Sequence, residues 1–173
     1  MFEYRIASAQ DLEEIWNMNI ARNPDDKRWT KWKTEYISYN CSGMAKTFVV
    51  VCDGHPVGEG TLLFSSECKA VCGREGLVNT YTANVNALRI CKEYEGQGHI
   101  SKLMHMMERY AAAEGYTRLT IGVDAVETRN LGIYLHWGYN AFVMSEVDEG
   151  DTVSLRFYDG VAETRITKKG SSI

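Results

Sequence analysis

Two glycines separated by one residue, Gly96 and Gly98, have the spacing that most directly indicates chemistry in this chain. They stand between an apolar run that ends near Ile90 and a run from Ile100 to about Ala113 with apolar residues at helical spacing. Because glycine lacks a Cβ, backbone N–H groups near it can approach an anion closely, and a helix N-terminus adds partial positive charge. The pattern predicts a site for a phosphorylated ligand, although it also fits a tight connection that binds nothing.

Two common nucleotide-binding motifs do not fit this turn. The dinucleotide-binding motif needs a third glycine, and Leu103 and Met104 occupy the nearby positions. The phosphate loop of nucleoside triphosphate-binding proteins ends in Gly-Lys-Ser or Gly-Lys-Thr, and no such ending follows at the required spacing. These two classes of site are therefore not indicated.

A second pattern lies one helix and one strand further along, where Tyr134 is followed by Gly138 and the aromatic Tyr139. Together with the glycine turn, this pattern makes the segment 83–142 resemble the GCN5-related N-acetyltransferase (GNAT) family. The N-terminal residues also look like the opening strand and capped helix of that family. The resemblance covers roughly residues 3–158.

The family motif at the turn reads Gln/Arg-x-x-Gly-x-Gly/Ala and cradles the pyrophosphate of acetyl-CoA. Its positions fall on Glu95, Gly98 and Ile100, so a carboxylate replaces the usual basic or amide residue and isoleucine replaces a small one. A carboxylate some 5–6 Å from a phosphate in a water-like dielectric costs on the order of 1 kcal/mol. We therefore expect looser coenzyme binding than a basic version of the turn would give, with His99 and Lys102 as possible sources of offsetting positive charge.

The resemblance implies that the strand ending near Ile90 and the strand 118–123 splay apart around the pantetheine arm of acetyl-CoA. Backbone groups around 88–91 would then pair with the arm, and N–H groups of the turn would bind the pyrophosphate. The residues implied to bind the coenzyme are Leu88, Arg89, Ile90, Glu95, Gly96, Gln97, Gly98, His99, Ile100, Ser101 and Asn130.

The same resemblance implies that Tyr134 is the general acid that protonates the leaving thiolate, although a tyrosine in a helix also packs in cores. Asn84 occupies the place where some relatives carry a glutamate base, and it cannot accept a proton but could hold a water or the acceptor. Glu59, Asp124 and Glu127 are alternative bases. The predicted catalytic residues are Tyr134, Asn84 and Glu59.

Acceptor binding is expected from the first two predicted helices. Trp29 belongs to a series of aromatic residues at helical spacing, which indicates either core or an aromatic groove for a cation or sugar. Asp25 at the helix break and Asp124 could attract an amine. The predicted acceptor is a small-molecule primary amine: an aminoglycoside-like antibiotic, a polyamine or an amino-acid derivative. Alternatives are a protein N-terminal or lysine acetyltransferase, a noncatalytic acyl-CoA-binding module and a purely structural domain.

Composition limits the partners. The net charge of −4 argues against nonspecific nucleic-acid binding and suits a cationic acceptor. No apolar stretch reaches membrane-spanning length, and no signal-peptide pattern begins the chain, so we expect a soluble cytoplasmic protein that binds no membrane. Five cysteines without a second ligand-like pair indicate reduced thiols and no metal site. A homodimer remains open.

Strand-like and helix-like segments alternate along the chain. They predict an α/β (α+β) domain with a central mixed, mostly antiparallel sheet of six to seven strands and helices on both faces. We assign residues 1–158 to one acetyltransferase-like domain and residues 159–173 to a polar C-terminal tail that lacks fixed structure. The long strand before the turn is predicted over Leu77–Ile90.

Overall fold

The computed structural model describes residues 1–124, 126–147 and 154–161, which form seven strands and four helices. The elements in chain order are β1 (Phe2–Ile6), α1 (Ala9–Arg22), α2 (Arg28–Ser42), β2 (Ala45–Cys52), β3 (His55–Leu63), β4 (Thr82–Ile90), a 3-10 turn (Lys92–Tyr94), α3 (His99–Ala113), β5 (Arg118–Asp124), α4 (Thr128–His136), β6 (Ala141–Val147) and β7 (Ser154–Val161).

The strands lie in the order β1-β2-β3-β4-β5-β7-β6. Four of the neighbouring pairs, β1–β2, β2–β3, β5–β7 and β6–β7, are antiparallel, whereas β4 and β5 are parallel. The parallel pairing joins four residue pairs, from Thr82–Arg118 to Val85–Ile121. The predicted mixed, mostly antiparallel sheet is confirmed.

The helix α1 begins at a capping box. The Ser8 hydroxyl accepts a hydrogen bond from the Asp11 N–H at 3.2 Å, and the Asp11 carboxylate accepts one from the Ser8 N–H at 2.7 Å. Arg5 of β1 also pairs with Asp11, and this contact joins the cap to the strand. Because two otherwise unpaired backbone groups are satisfied, the start of α1 is fixed.

The residues group into two compact units. The first consists of Met1–Leu63 and Ala87–Met107, and the second of Phe64–Asn86 and the described residues from Glu108 onward. The assignment of residues 1–158 to one domain stays a prediction, and all but the first three residues of the predicted tail lie outside the described residues.

In the first unit, β3 and β4 direct alternate side chains to opposite faces. A Cβ at Gly60 would lie 2.7 Å from Met107 Sδ and 2.8 Å from Leu88 Cδ1, so Leu88 lies on the face that α3 covers. Glu59 is the neighbour of Gly60 in β3, and Arg89 is the neighbour of Leu88 in β4. Their side chains lie on the other face and contact α1 and α2. The buried core on the two faces contains Leu12, Ile15, Trp16, Tyr36, Phe48, Leu62, Leu103, Met104 and Met107.

The second unit packs around β5. Leu119, Ile121 and Phe157 are buried, and a Cβ at Gly122 would lie 2.8 Å from the Phe157 ring. Tyr139, also buried, donates a hydrogen bond to Glu108 of α3 at 3.2 Å. Together these contacts hold β5, β7 and the end of the α4 segment around one apolar centre.

The predicted strand Leu77–Ile90 is wrong at its beginning, because β4 starts only at Thr82. Leu77 is fully buried and accepts a hydrogen bond from the Thr120 hydroxyl at 2.8 Å. A tight turn follows, in which the Asn79 and Thr82 backbones bond to each other. Leu77 therefore carries the apolar signal of a strand although it anchors a loop.

Candidate functional site

The glycine turn has the backbone geometry that only glycine adopts without strain. Gly96 has φ 72° and Gly98 has φ 82°, both in the left-handed region. A Cβ at either glycine would meet no other atom of the described structure within 4 Å. The glycines are therefore required by the path of the backbone, and the side of the turn where a Cβ would stand is open.

The turn leads directly into the N-terminus of α3. The Lys102 N–H donates to the Gly98 carbonyl at 3.1 Å, which is the first hydrogen bond of the helix. The N–H groups of residues 99–101 lie in the first turn of the helix, where no intrahelical acceptor exists. The Gln97 amide donates to the Glu93 carbonyl at 3.0 Å and so ties the turn to the 3-10 segment. These features fit the binding of a pyrophosphate.

His99 lies in this turn but does not add positive charge to it. Its ring is buried, packs 4.1 Å from the Phe2 ring and forms a 2.7 Å hydrogen bond with the Tyr4 hydroxyl. Burial, and secondarily the charge of Lys102, lowers the pKa of His99. The ring is therefore neutral near pH 7 and anchors α3 to β1, while Lys102 lies 5.5 Å above the Tyr4 ring.

The two unusual motif residues differ in exposure. Glu95 is exposed at the end of the 3-10 segment, and Ile100 is half-buried in the first turn of α3. Before the turn, Leu88 and Ile90 are half-buried in β4, and the Cys91 N–H donates to the Val57 carbonyl at 2.8 Å. The cofactor roles of these residues stay predictions.

A second feature of the first unit is a buried ion pair. Glu59 is fully buried, and its Oε1 accepts hydrogen bonds from Asn19 Nδ2 at 2.8 Å and from Arg89 Nε at 3.0 Å. Arg89 Nη2 also lies 2.8 Å from the same oxygen. Burial raises the pKa of Glu59, and the Arg89 charge and the hydrogen bonds act in the opposite direction.

Two indole rings enclose the arginine of this pair. The Arg89 guanidinium carbon lies 4.8 Å from the Trp16 ring centroid and 4.7 Å from that of Trp29. The two rings are themselves 6.2 Å apart. The structure thus brings together Glu59, Arg89 and Trp29, which the sequence assigned to three separate roles. We call Trp16, Asn19, Trp29, Glu59 and Arg89 the Glu59–Arg89 cluster.

The connection between α1 and α2 forms an open surface pocket of about 450 Å³, lined by Arg22, Asn23, Pro24, Asp25, Asp26 and Arg28. Most of its charges are paired: Arg28 bonds to Asp26 at 2.9 Å, and Arg22 lies 3.7 Å from Glu93. Asp25 is exposed and has no ion-pair partner among the described residues. Its position suits the predicted attraction of an amine.

Tyr134 lies in α4 of the second unit. Burial, with a further contribution from the negative charge of Glu127, raises the pKa of its phenol to about 12. Its ring centroid lies 5.8 Å from that of Trp137, and its backbone carbonyl accepts the Tyr139 N–H at 2.9 Å. At neutral pH the hydroxyl therefore keeps its proton and is a hydrogen-bond donor.

The other predicted residues of the second unit have local roles. Asn84 is fully buried and donates to the Thr120 hydroxyl at 2.9 Å, which links β4 to β5. Asp124 accepts the Val126 N–H at 3.0 Å in the turn before α4. Asn130 is exposed on α4. The catalytic, substrate and cofactor roles given to these three residues stay predictions.

Two members of the Glu59–Arg89 cluster, and the side chain of a third, were given no role from the sequence. Asn19 and Trp16 were not assigned to a site, and Arg89 was considered only for its backbone. A signal did exist, because Asn19 continues the buried series of Leu12, Ile15 and Trp16 at helical spacing. A polar residue at a core position indicates a buried polar partner.

The described residues contain no group of three or more His, Cys, Asp or Glu side chains that could hold a metal ion. Within the same part of the chain, no helix has the length and apolar character needed to cross a bilayer. The expected absence of a metal and the expected cytoplasmic location stay predictions.

Comparison with known proteins agrees with this geometry. The model of the acetyltransferase (GNAT) family matches residues 10–139, and no curated protein matches the sequence. Many solved structures share the fold, and three of them are described here. An N-acetyltransferase from Staphylococcus aureus Mu50 is 16% identical with a TM-score of 0.70, over 94% of this chain and 99% of that one.

The second structure is YncA from Salmonella typhimurium, a candidate acetyltransferase solved with its cofactor acetyl-CoA. It is 12% identical with a TM-score of 0.70, over 94% of this chain and 95% of that one. The third is a spermidine N-acetyltransferase chimera of Vibrio cholerae SpeG and hSSAT, 15% identical with a TM-score of 0.68, over 96% of this chain and 98% of that one. Because the family match spans most of the sequence, the chain belongs to the GNAT family of acetyltransferases, whose chemistry is acyl transfer.

Proposed function

We propose that this protein is an acetyl-CoA-dependent N-acetyltransferase that acts on a primary amine of a small molecule. The observation that carries the proposal is the glycine turn. Two left-handed glycines with open space beside them lead into the first turn of α3, in a chain of an acetyltransferase family. Backbone N–H groups at a helix N-terminus favour a phosphate ligand.

In this proposal the N–H groups of Gly96 to Ser101 bind the coenzyme pyrophosphate, and the β4 backbone at Leu88–Cys91 pairs with the pantetheine arm as a further strand would. The backbone supplies most of these contacts, so they do not depend on the side chains at positions 95 and 100. The main effect of Glu95 is then electrostatic.

When bound, acetyl-CoA supplies an acetyl group as a thioester, and transfer to an amine releases a free thiol. Tyr134 donates a hydrogen bond to the departing sulfur. A phenol with a pKa of about 12 is a weak acid. Full proton transfer to a thiolate of pKa about 8.5 is uphill by roughly 5 kcal/mol. Tyr134 therefore stabilises the thiolate by a strong hydrogen bond, and the proton comes from solvent.

The acceptor approaches from the side of α1 and α2. Asp25 in the surface pocket attracts a cationic amine by charge, which raises its local concentration. Glu59 was predicted as a base, but it is fully buried and already accepts hydrogen bonds from Asn19 and Arg89. Its proposed role is to position Arg89, and water accepts the proton of the attacking amine.

Calorimetry with acetyl-CoA and a thiol-release assay across amines test this function. We expect binding below millimolar concentration and thiol release that depends on one class of amine. Binding without thiol release for any amine would replace the proposed activity with that of an acyl-CoA-binding module. Absence of binding at millimolar acetyl-CoA would overturn the proposal.

A further inference from the structure

The Glu59–Arg89 cluster has more hydrogen-bond donors than acceptors. Nε and Nη2 of Arg89 both approach the same oxygen of Glu59, at 3.0 and 2.8 Å. Nη2 is not aligned for a hydrogen bond, and Glu59 Oε2 and Trp16 Nε1 also have no partner in the described structure. A forked pair would give each N–H its own oxygen, so this pair is only partly satisfied.

A ligand that binds this cluster must accept hydrogen bonds, because the Arg89 side chain, 28% of which is exposed, offers N–H donors and no acceptor. Inside the cluster, two donors, Arg89 Nη2 and Trp16 Nε1, and one acceptor, Glu59 Oε2, are buried without a hydrogen-bond partner in the described structure. Arg89 Nη1 is a third donor that forms no hydrogen bond to the described residues. Buried polar atoms without partners are rare in native proteins, and a catalytic role, strain or a bound water or ion accounts for them.

The guanidinium of Arg89 is held in place by its neighbours. The two indoles and Glu59 fix the guanidinium, while 28% of the side chain remains exposed. An arginine fixed in this way loses little conformational entropy when it binds a planar anion, and its fork matches a carboxylate. In β4, Arg89 lies between Leu88 and Ile90, in the segment proposed to pair with the pantetheine arm.

We propose that the amine acceptor also carries a carboxylate, which the Arg89 guanidinium binds at the Trp16 and Trp29 rings. The proposal rests on the acetyltransferase function proposed above and narrows its substrate to amino acids and their derivatives. Polyamines offer only donors and positive charge, so the cluster disfavours them. Arg89 is then a specificity-determining residue.

The experiment compares matched acceptors in the thiol-release assay. The panel contains α-amino acids, short ω-amino acids, the amide of each acid and the corresponding decarboxylated amine, with spermidine and an aminoglycoside. We expect the best acceptor to be a carboxylate whose kcat/KM exceeds that of its own amide by at least about tenfold, because a charge-assisted hydrogen bond is lost in the amide. The difference should lie in KM.

Two variants test whether Arg89 determines the preference for a carboxylate. Glu59→Gln/Arg89→Gln removes both charges together, and Glu59→Gln alone keeps the arginine. We expect the carboxylate-to-amide ratio to fall to near one in the double variant and to persist in the single variant. A role in stability alone would lower activity toward both acceptors equally and leave the ratio unchanged, which would overturn the proposal.

A binding measurement covers the case in which the variants do not fold or the panel lacks the best substrate. Tryptophan fluorescence of the wild-type protein is titrated with N-acetyl amino acids and with their amides. Preference for the carboxylates supports the proposal. If no carboxylate is preferred in either assay, the proposal is wrong, whereas thiol release with spermidine or an aminoglycoside would leave the acetyltransferase function standing.

Discussion

The glycine turn and the Glu59–Arg89 cluster are both in the first unit, but they are built in opposite ways. The turn consists of adjacent residues and presents backbone N–H groups, so its function depends on φ angles at Gly96 and Gly98. The cluster collects side chains from α1, α2, β3 and β4, and its function depends on their charges. The turn can therefore tolerate unusual side chains that the cluster cannot.

The largest effect is expected from Arg89→Met, which should lower the free energy of unfolding in urea by about 3 kcal/mol or more. The variant leaves the Glu59 carboxylate buried without its cationic partner. Without Arg89, burial raises the pKa of the Glu59 carboxyl above its value in the wild-type protein. The carboxyl therefore takes up a proton when the variant folds. The loss should therefore be largest at neutral pH and shrink as the pH falls toward the pKa of the unfolded carboxyl.

The matched control is Glu59→Gln/Arg89→Met, which removes the buried charge along with its partner. Most of the lost stability should return in this double variant. A loss below about 1 kcal/mol in Arg89→Met is typical of an exposed ion pair. It would mean that the charges of Glu59 and Arg89 matter little for stability, so that the cluster would not differ from the turn in its dependence on charge.

Tyr134→Phe tests a residue outside both regions. We expect kcat to fall by about 10- to 100-fold, the value of one hydrogen bond to a charged group. The affinity for acetyl-CoA measured by calorimetry should not change, because the turn is intact. A kcat within about twofold of the wild type would remove Tyr134 from the proposed mechanism, since one such bond is worth more than that.

Gly98→Ala tests the backbone character of the turn. The added Cβ strains a left-handed residue by about 1 kcal/mol, and we expect acetyl-CoA to bind about tenfold more weakly as N–H groups shift. Gly43 has φ 79° at the end of α2, also with open space around it, so Gly43→Ala carries the same strain away from the turn. Equal coenzyme affinity in the two variants would contradict a pyrophosphate site at the turn.

The smallest effect is expected from Glu95→Gln. Loss of one repulsive charge should tighten acetyl-CoA binding by a few-fold at low salt, corresponding to about 1 kcal/mol or less. The gain should vanish in high salt because the exposed carboxylate is screened. An unchanged affinity at low salt would show that Glu95 faces away from the phosphates.

The same contrast explains what the sequence could predict. The glycine turn and the helix after it depend on local backbone preferences, and the structure has both. The Glu59–Arg89 pair joins residues 30 positions apart, and Asn19 comes from 40 positions before Glu59. No local pattern specifies such contacts.

Two particular residues show where local reasoning fails. Leu77 has the apolar character of a strand residue but is buried as a loop anchor, so the predicted strand began too early. His99 was expected to offset the charge of Glu95, yet burial against Phe2 lowers its pKa. In both cases tertiary packing determines the outcome, and neighbouring residues in sequence do not reveal it.

The central claim is that backbone N–H groups of the turn bind the coenzyme pyrophosphate. Backbone amide chemical shifts during a titration with acetyl-CoA test it most directly. The account predicts that the N–H signals of Gly96 to Ser101 shift strongly and saturate together, while that of Gly43 does not move. Saturable binding of acetyl-CoA without shifts in the turn would contradict it.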